Sequence, residues 1–244
     1  MNQPTILLTG SSRGIGAALA RTLTARGARI IGHATSAADA DTIAADFTAY
    51  GAPQMLWEEA LDRAGRRIDG LINNAGLFAA NPLENSDIAW LDGWEDTMRI
   101  NLTAAAQLSR FAVRHWLERE RPDEGAIRGR IVHIASRAGH RGDSPAHWHY
   151  AAAKGGMLAL HKTIARAYAR EGILSFAVTP GFTDTGMAED YLARRGGPGL
   201  LADIPLGRVA TPEEIAAIAA FCALDAPPSM TGATLDANGA SYVR

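Results

Sequence analysis

The sequence predicts an α/β protein, with a doubly wound parallel sheet of about seven strands between two layers of helices. Strand and helix signals alternate along all 244 residues, which is typical of repeated strand–helix units. The strand signals are continuous apolar runs, as expected for strands buried on both faces. The first of these strands leads into a glycine-rich turn. No linker, low-complexity tract or internal repeat interrupts the pattern, so a single domain over residues 1–244 is predicted.

The elements follow from local patterns. Strands are predicted at residues 5–8, 28–33, 42–47, 68–72, 130–134, 174–178 and around 234–236. Helices are predicted at residues 17–26, 52–66, about 93–118, 150–170 and from 211 onwards. The last helix should begin cleanly, since Thr211 suits the N-cap, Pro212 suits N1 and Glu214 completes a capping box. Only about eight residues, 34–41, join the second and third strands, which favours a stunted helix or a loop.

Composition narrows the class of protein. The chain is 47% hydrophobic and 20% charged with a net charge of -2, which gives no electrostatic footprint for nucleic acid or an anionic membrane. Cys222 is the only cysteine, so a reducing compartment is expected. The longest apolar run, residues 215–224, is about half of a membrane span, and no basic segment precedes the first apolar run. A cytoplasmic protein without nucleic-acid or membrane partners is predicted.

A glycine turn, Thr9-Gly10-Ser11-Ser12-Arg13-Gly14-Ile15-Gly16, separates the first strand from the first helix. Glycines allow a sharp turn and close approach of a ligand, and the helix start offers amides to a pyrophosphate. The spacing differs from the Gly-x-Gly-x-x-Gly dinucleotide fingerprint. The same residues also contain Gly10-x-Ser12-x-Gly14, the nucleophile pattern of α/β hydrolases. The turn alone therefore leaves a dinucleotide site and a serine hydrolase open.

A second group consists of Ser136, Tyr150 and Lys154. Tyr150 and Lys154 are four residues apart on a predicted helix, so they project from one face. A lysine cation beside a phenol lowers the tyrosine pKa from about 10 toward neutrality, and such a tyrosine can exchange a proton with a carbonyl or an alcohol. Ser136 follows the fifth strand, where its hydroxyl can hold the same oxygen. The Tyr–Lys spacing alone is common on exposed helices.

The complete set of motifs is more specific. In order, the chain contains Thr9-Gly-x-x-x-Gly-x-Gly16, Asn73-Asn-Ala-Gly76, Asn101, Ser136, Tyr150-x-x-x-Lys154 and Pro180-Gly181. This pattern resembles the classical short-chain dehydrogenases/reductases, close to the 3-oxoacyl-carrier-protein reductase type, over essentially the whole chain. The resemblance implies a Rossmann-type fold and an oxidoreductase (EC 1.1.1.-) that interconverts a ketone or aldehyde and an alcohol by hydride transfer. It also implies a homo-oligomer, a tetramer or a dimer.

The resemblance assigns roles to individual residues. Tyr150 would be the acid/base, Lys154 would lower its pKa and contact the nicotinamide ribose, and Ser136 would hold the substrate oxygen. Asn101 would anchor a water that links Lys154 to a proton relay. The cofactor phosphates would be wrapped by Gly10, Ser12, Arg13, Gly14 and Ile15. The adenine would contact Asp46 and Phe47. The adenosine ribose and the floor of the site would be lined by Asn73, Ala75 and Gly76. The nicotinamide would contact Pro180, Gly181, Thr183 and Thr185.

The end of the second strand bears on cofactor choice. An acidic residue there would bind the ribose hydroxyls of NAD and repel a 2′-phosphate, but the sequence reads His33-Ala34-Thr35-Ser36. Arg13 offers a cation for a 2′-phosphate, and Thr35 and Ser36 offer hydroxyls. NADP(H) is therefore predicted. Asp39 and Asp41 lie nearby, which keeps NAD(H) as an alternative.

Two further segments are predicted to border the substrate, and the first of them departs from the reductase pattern. Ser136 and Tyr150 are fourteen residues apart, about one more than the resemblance implies, and residues 137–149 are rich in His and Arg. Either Arg137, Arg141 or His147 contacts a polar or anionic substrate, or the segment is a charged surface loop plugged by Trp148. No metal is predicted, since ligand spacing with Cys or carboxylates is missing. The polar, glycine-rich segment around 186–206 is predicted to be a lid, with Met187 and Tyr191 facing the substrate.

Three alternatives remain beside the NADP-dependent reductase. The same fold could serve an NAD-dependent alcohol or sugar dehydrogenase, or a nucleotide-binding regulator without turnover. A serine hydrolase using Ser12 is disfavoured because no upstream strands would build an oxyanion hole, and no acid–histidine pair follows in the required order.

Overall fold

One sheet of seven parallel strands organises the part of the chain that the computed structural model describes, residues 3–36, 41–121, 123–185 and 201–243. The strand order is β3-β2-β1-β4-β5-β6-β7. The strands are β1 (Thr5–Leu8), β2 (Arg29–Ala34), β3 (Thr42–Ala44), β4 (Gly70–Asn73), β5 (Gly129–Ile134), β6 (Ile173–Pro180) and β7 (Thr234–Ala237). All neighbouring pairs are parallel. The predicted doubly wound parallel sheet is thereby confirmed.

Helices cover both faces of this sheet. They are α1 (Gly14–Ala25), α2 (Ala52–Arg63), α3 (Asp87–Met98), α4 (Ala104–Glu118), α5 (Ala138–Arg141), α6 (Trp148–Tyr168) and α7 (Pro212–Leu224). A π-helix, Arg99–Thr103, joins α3 to α4, and short 3₁₀ turns occur at Ala169–Glu171 and Pro228–Met230. Among the described residues, no helix is both long enough and apolar enough to span a bilayer.

The first strand shows how the two layers arise. Successive side chains of a strand point to opposite faces. Leu7 is buried with Leu56 of α2 and Leu108 of α4, whereas Leu8 is buried with Leu19 of α1 and Ile215 of α7 on the other face. Each face therefore has its own apolar core, and the architecture is three-layered.

Element boundaries differ from the predictions mainly around α3. This helix begins at Asp87 rather than near residue 93, because the Ser86 hydroxyl accepts a hydrogen bond from the Ala89 amide. Only Thr97 of its residues is buried, so it lacks the buried apolar stripe that marks a helix in a sequence. The capping box of α7, formed by Thr211 and Glu214, is confirmed. The connection predicted as a stunted helix or loop lies partly outside the described residues, at 37–40.

The sheet order places a crevice beside β1. The chain proceeds outward from β1 to β2 and β3 on one side and from β4 to β7 on the other, so the connections diverge at the carboxyl ends of β1 and β4. Ligands of doubly wound sheets bind at this switch point. The glycine turn follows β1 and the segment Asn73-Asn74-Ala75-Gly76 ends β4, so both motifs border the crevice.

Candidate active site

A cavity of about 980 Å³ opens at the carboxyl ends of the strands, and we call it the strand-end cavity. It brings together most of the residues singled out in the sequence. These are Gly10, Ser12, Arg13, Gly14, Ile15, Thr35, Asp46, Phe47, Ala75, Gly76, Ser136, Tyr150, Lys154, Pro180, Gly181, Thr183 and Thr185. The lining does not include Ser36, Asn73 or Asn101.

The side chains of Asn73 and Asn74 lie in different places. The Asn73 side chain is buried beneath the cavity, where its Nδ2 donates to Ser109 Oγ at 3.1 Å. Asn74 lines the cavity instead, and its Nδ2 donates to the carbonyl oxygens of Thr9 and Gly10 at 3.0 and 2.9 Å. The geometry therefore makes Asn74 the residue that fixes the glycine turn, a role the sequence analysis did not assign.

Asn101 lies in the π-helix and is fully buried. Its Oδ1 accepts from the Leu77 amide and its Nδ2 donates to the Leu77 carbonyl, both at 2.9 Å. The side chain thus holds the segment that follows β4. These two bonds use one lone pair of Oδ1 and one hydrogen of Nδ2, and the water predicted at Asn101 stays a prediction.

The glycine turn leaves room for a pyrophosphate. Gly10 and Gly14 have φ angles of +66° and +52°, which disfavour any residue with a Cβ. A Cβ at Gly16 would lie 1.9 Å from the Gly10 carbonyl oxygen. Arg13, the N-cap of α1, has no acceptor atom with which to cap the first amides. An open helix N-terminus on a turn with three glycines fits the phosphates of a dinucleotide.

Ser136, Tyr150 and Lys154 converge at the other end of the cavity. Tyr150 and Lys154 lie in the first two turns of α6, and Ser136 follows β5. The Lys154 Nζ donates to the Ile134 carbonyl at 2.8 Å and lies 5.8 Å from the centre of the Tyr150 ring. Lys154 and Ser136 are 3% and 8% exposed, so these two side chains are shielded from bulk water.

The pKa values differ from the sequence expectation. Burial raises the pKa of Tyr150 to about 12, although a hydrogen bond from Ser136 opposes the shift. Burial also lowers the pKa of Lys154 to about 8. The net shift of the Tyr150 pKa is thus opposite in direction to the one expected from the spacing, and the role of Lys154 in lowering this pKa stays a prediction. The ammonium points at the Ile134 carbonyl, so desolvation of the phenolate outweighs the attraction.

The His- and Arg-rich segment contributes two cations to the cavity wall. Arg137 is 6% exposed, lines the cavity and places its guanidinium 4.8 Å from the centre of the Phe182 ring. Arg141 also lines the cavity, and its Nη1 is 3.4 Å from Asp203 Oδ2. Two positively charged side chains of this segment therefore border the cavity.

His147 and Trp148, also named in the sequence analysis, differ in their burial. His147 is buried, lies 2.7 Å from Ser144 Oγ through its Nδ1, and stacks on Phe78 at 4.0 Å. It supports the cavity wall and is not part of the lining. Trp148 is 53% exposed and faces Trp90 edge-on at 6.5 Å. The alternative that Trp148 plugs the site is therefore wrong.

Several lining residues were not singled out from the sequence. They include His33, Asn74, Phe78 and Phe182. Each adjoins a recognised motif in the sequence, but only the fold shows that its side chain turns into the cavity. Among the described residues, no group of three His, Cys, Asp or Glu side chains is arranged to hold a metal ion.

Fold and site together define an oxidoreductase that uses a nicotinamide dinucleotide. Residues 10–239 match the family described as enoyl-(acyl carrier protein) reductase. The chain is 37% identical over 247 residues to the 3-oxoacyl-[acyl-carrier-protein] reductase of Salmonella typhimurium, covering 97% of this chain and 96% of the relative. The corresponding enzyme of Escherichia coli K12 is 36% identical with the same coverage. That of Pseudomonas aeruginosa is 35% identical over 250 residues, again covering 97% and 96%.

The chain belongs to the short-chain dehydrogenase/reductase family. It is an oxidoreductase that acts on CH–OH groups and their carbonyl counterparts. The family, the reaction class and the nicotinamide class of cofactor predicted from the sequence are confirmed. The hydrolase alternative is not favoured, since Ser12 lies in the cofactor cradle.

Proposed function

We propose that the protein reduces a carbonyl group with NADPH, using Tyr150 as the proton donor. The observation that supports this most directly is that Ser136, Tyr150 and Lys154 line the same cavity as the glycine turn. A substrate held at Tyr150 and a dinucleotide held at the turn would therefore meet inside one enclosure. The residue roles below follow from this arrangement.

The proposed proton transfer uses the geometry of α6 and β5. The bound cofactor supplies the hydride that adds to the carbonyl carbon. The Tyr150 hydroxyl gives its proton to the carbonyl oxygen as that oxygen gains electron density. A Tyr150 pKa of about 12 keeps the phenol protonated at neutral pH, as a proton donor must be. Ser136 donates a hydrogen bond to the same oxygen, and the Lys154 cation stabilises the phenolate that remains.

The opposite end of the cavity would hold the cofactor. The amides at the start of α1 would bind the pyrophosphate, and Arg13 with Thr35 would bind the 2′-phosphate. Asp46 and Phe47 would border the adenine. Pro180 ends β6 and Gly181, Thr183 and Thr185 follow it; all four line the cavity and would meet the nicotinamide.

For the substrate we propose a 3-oxoacyl thioester, the class named in the relatives at 34–37% identity. An apolar wall suits an acyl chain: Phe78 and Phe182 line the cavity, and the Phe78 ring meets Tyr150 edge-on at 4.8 Å. A second candidate is a carbonyl compound with a carboxylate or phosphate. It is favoured by the buried guanidinium of Arg137, which directly follows Ser136.

Two measurements test the proposal. Tyr150→Phe should lower NADPH-dependent turnover by about 10²- to 10⁴-fold, the usual contribution of a general acid, while NADPH binding by calorimetry stays unchanged. Retained turnover in this variant would contradict the role of Tyr150. A panel of 3-oxoacyl thioesters, oxo acids and neutral ketones, followed by NADPH absorbance, separates the two substrate classes. Arg137→Gln should lower the rate of NADPH oxidation only with the oxo acids.

We also propose that the protein is a cytoplasmic homo-oligomer, a dimer or a tetramer. Large apolar side chains on α3 and at the start of α6 are exposed, with Ile88 at 76%, Leu91 at 51% and Trp148 at 53%. Exposed apolar surfaces of this kind mark association sites. Light scattering after gel filtration tests the assembly, and a monomer at micromolar concentration would contradict it. The lid prediction for 186–206 lies mostly outside the described residues, although Ala202 and Asp203 line the cavity.

A further inference from the structure

His33, near the end of β2, joins two parts of the strand-end cavity through its ring. The residue is 3% exposed and lines the cavity. The Gly10 amide donates to His33 Nδ1 at 3.1 Å, and His33 Nε2 lies 2.8 Å from the Ala45 carbonyl oxygen. An amide only donates and a carbonyl only accepts. The ring must therefore be neutral, with its hydrogen on Nε2, and it bridges the glycine turn to the segment after β3.

The backbone of His33 holds the same turn. The Ser11 amide donates to the His33 carbonyl at 2.9 Å, and the His33 amide donates to Ser11 Oγ at 3.1 Å. This approach requires Gly32, because a Cβ at that position would lie 2.5 Å from Ser11 Oγ. Two consecutive residues of the turn, Gly10 and Ser11, are thus fixed to His33.

The ring also defines the adenine side of the cavity. It stacks on Phe47 with a centroid separation of 4.3 Å and an interplanar angle of 12°. Phe47 is 7% exposed and lines the cavity. Burial lowers the pKa of His33, which agrees with the neutral ring that the hydrogen bonds require.

We propose that His33 is a positioning residue for the cofactor, setting the distance between the turn that binds the phosphates and the wall that borders the adenine. The inference rests on the proposed cofactor placement. It assigns to His33 an effect on binding of the adenosine half of NADPH and none on the chemical step, since the ring contacts neither Tyr150 nor Ser136 in the hydrogen bonds and stacking described.

Three variants separate the contacts of the ring. In His33→Asn the amide oxygen can still accept from Gly10, but the link to Ala45 is lost. In His33→Gln the longer amide can still donate to Ala45, but the link to Gly10 is lost. His33→Ala removes both links and the stacking on Phe47. His115→Asn is the matched control, because His115 packs on Trp57 and does not line the cavity.

The test is calorimetric binding of 2′,5′-ADP and of NADPH to the full chain, together with steady-state kinetics. Loss of both hydrogen bonds of the ring predicts that His33→Ala weakens 2′,5′-ADP binding about tenfold or more. The Asn and Gln variants should fall between Ala and wild type. The KM for NADPH should rise in parallel while kcat at saturating NADPH changes less than about twofold, and His115→Asn should match wild type.

The outcomes distinguish this inference from the proposed function. If wild type binds 2′,5′-ADP and the folded His33 variants bind it equally well, the positioning role is wrong while the function stands. A kcat that falls as much as KM rises would overturn it as well. If wild type binds neither 2′,5′-ADP nor NADPH, both the proposed cofactor placement and the role of His33 are wrong. Should His33→Ala not fold, the Asn and Gln variants decide the question.

Discussion

The two ends of the strand-end cavity are built on different principles. The glycine end, Gly10 to Gly16, depends on close approaches that a Cβ would block, and the Gly10 amide and carbonyl are held by the side chains of His33 and Asn74. The tyrosine end, formed by Ser136, Tyr150 and Lys154, depends on buried ionisable side chains with shifted pKa values. Steric fit therefore governs the first end and electrostatics the second. Changes at the glycine end should act at all pH values, and changes at the tyrosine end should depend on pH.

The largest effect is expected from Gly16→Ala. The added Cβ would lie 1.9 Å from the Gly10 carbonyl oxygen, so the turn must distort and its amides leave the phosphates. We expect NADPH binding, followed by fluorescence titration, to be lost at every pH between 6 and 9. Gly155→Ala is the control, since its Cβ would meet only the Gly139 oxygen at 3.4 Å. Binding of NADPH to Gly16→Ala with near wild-type affinity would contradict the steric account.

The tyrosine end should respond to pH through Lys154. Burial lowers its pKa to about 8, so its positive charge is present below pH 8 and is lost as the pH rises through this value. We expect kcat/KM for carbonyl reduction to be level near pH 7 and to fall by about tenfold per pH unit well above 8. Lys154→Arg keeps its charge throughout this range. The alkaline decline should be absent from its residual activity, and its persistence would assign the decline to another group.

A smaller effect is expected on the free energy of unfolding, through two buried histidines below the tyrosine end. Burial lowers the pKa of His133 to about 3 and that of His161 to about 4. Lys154 adds to the shift of His133. Because these folded-state values lie below the unfolded value of about 6.5, the unfolded chain binds protons first as the pH falls. Stability is complete above pH 6.5 and is lost progressively down to the folded-state values.

Urea unfolding at pH 7 and pH 5 measures this loss. Each histidine should account for roughly 2 kcal/mol between these conditions. His161→Gln retains a polar side chain opposite Ser175, which the His161 ring contacts at 2.9 Å, but it cannot be protonated. The variant should lose less stability than wild type between pH 7 and pH 5. An equal loss in the two proteins would show that other groups carry the acid sensitivity.

The contrast between the ends also explains what the sequence could predict. Buried parallel strands are continuous apolar runs, and the glycine turn needs glycine at set positions, so both are local in the chain. The seven strands and the glycine turn were predicted on these grounds, whereas the roles of the turn residues came from the family resemblance. The α3 boundary was missed because exposed helices leave a weak pattern, and the π-helix that holds Asn101 has no sequence signal.

Features that depend on burial or register could not be read in the same way. The direction of the Tyr150 pKa shift depends on where the Lys154 ammonium points, and this is set by the packing of α6 on β5. The bridge made by His33 depends on the register of β2 beside β1 and β3. Neither distance is encoded by spacing along the chain. Arg137 was named as one of three alternative substrate contacts. Its place in the cavity lining depends on the short helix α5, which begins directly after it.

The smallest effect tests whether stability beside the cavity can change without altering either end. Thr211 caps α7 through its hydroxyl, while Ala210 before it bonds to Phe182 and Asp184 through its backbone. Thr211→Ala should lower the free energy of unfolding by about 1 kcal/mol, and Thr211→Ser should restore most of it. Because the hydroxyl does not hold Ala210, NADPH affinity and the pH profile should match wild type. A change in either would mean that the α7 cap also orders the nicotinamide side of the cavity.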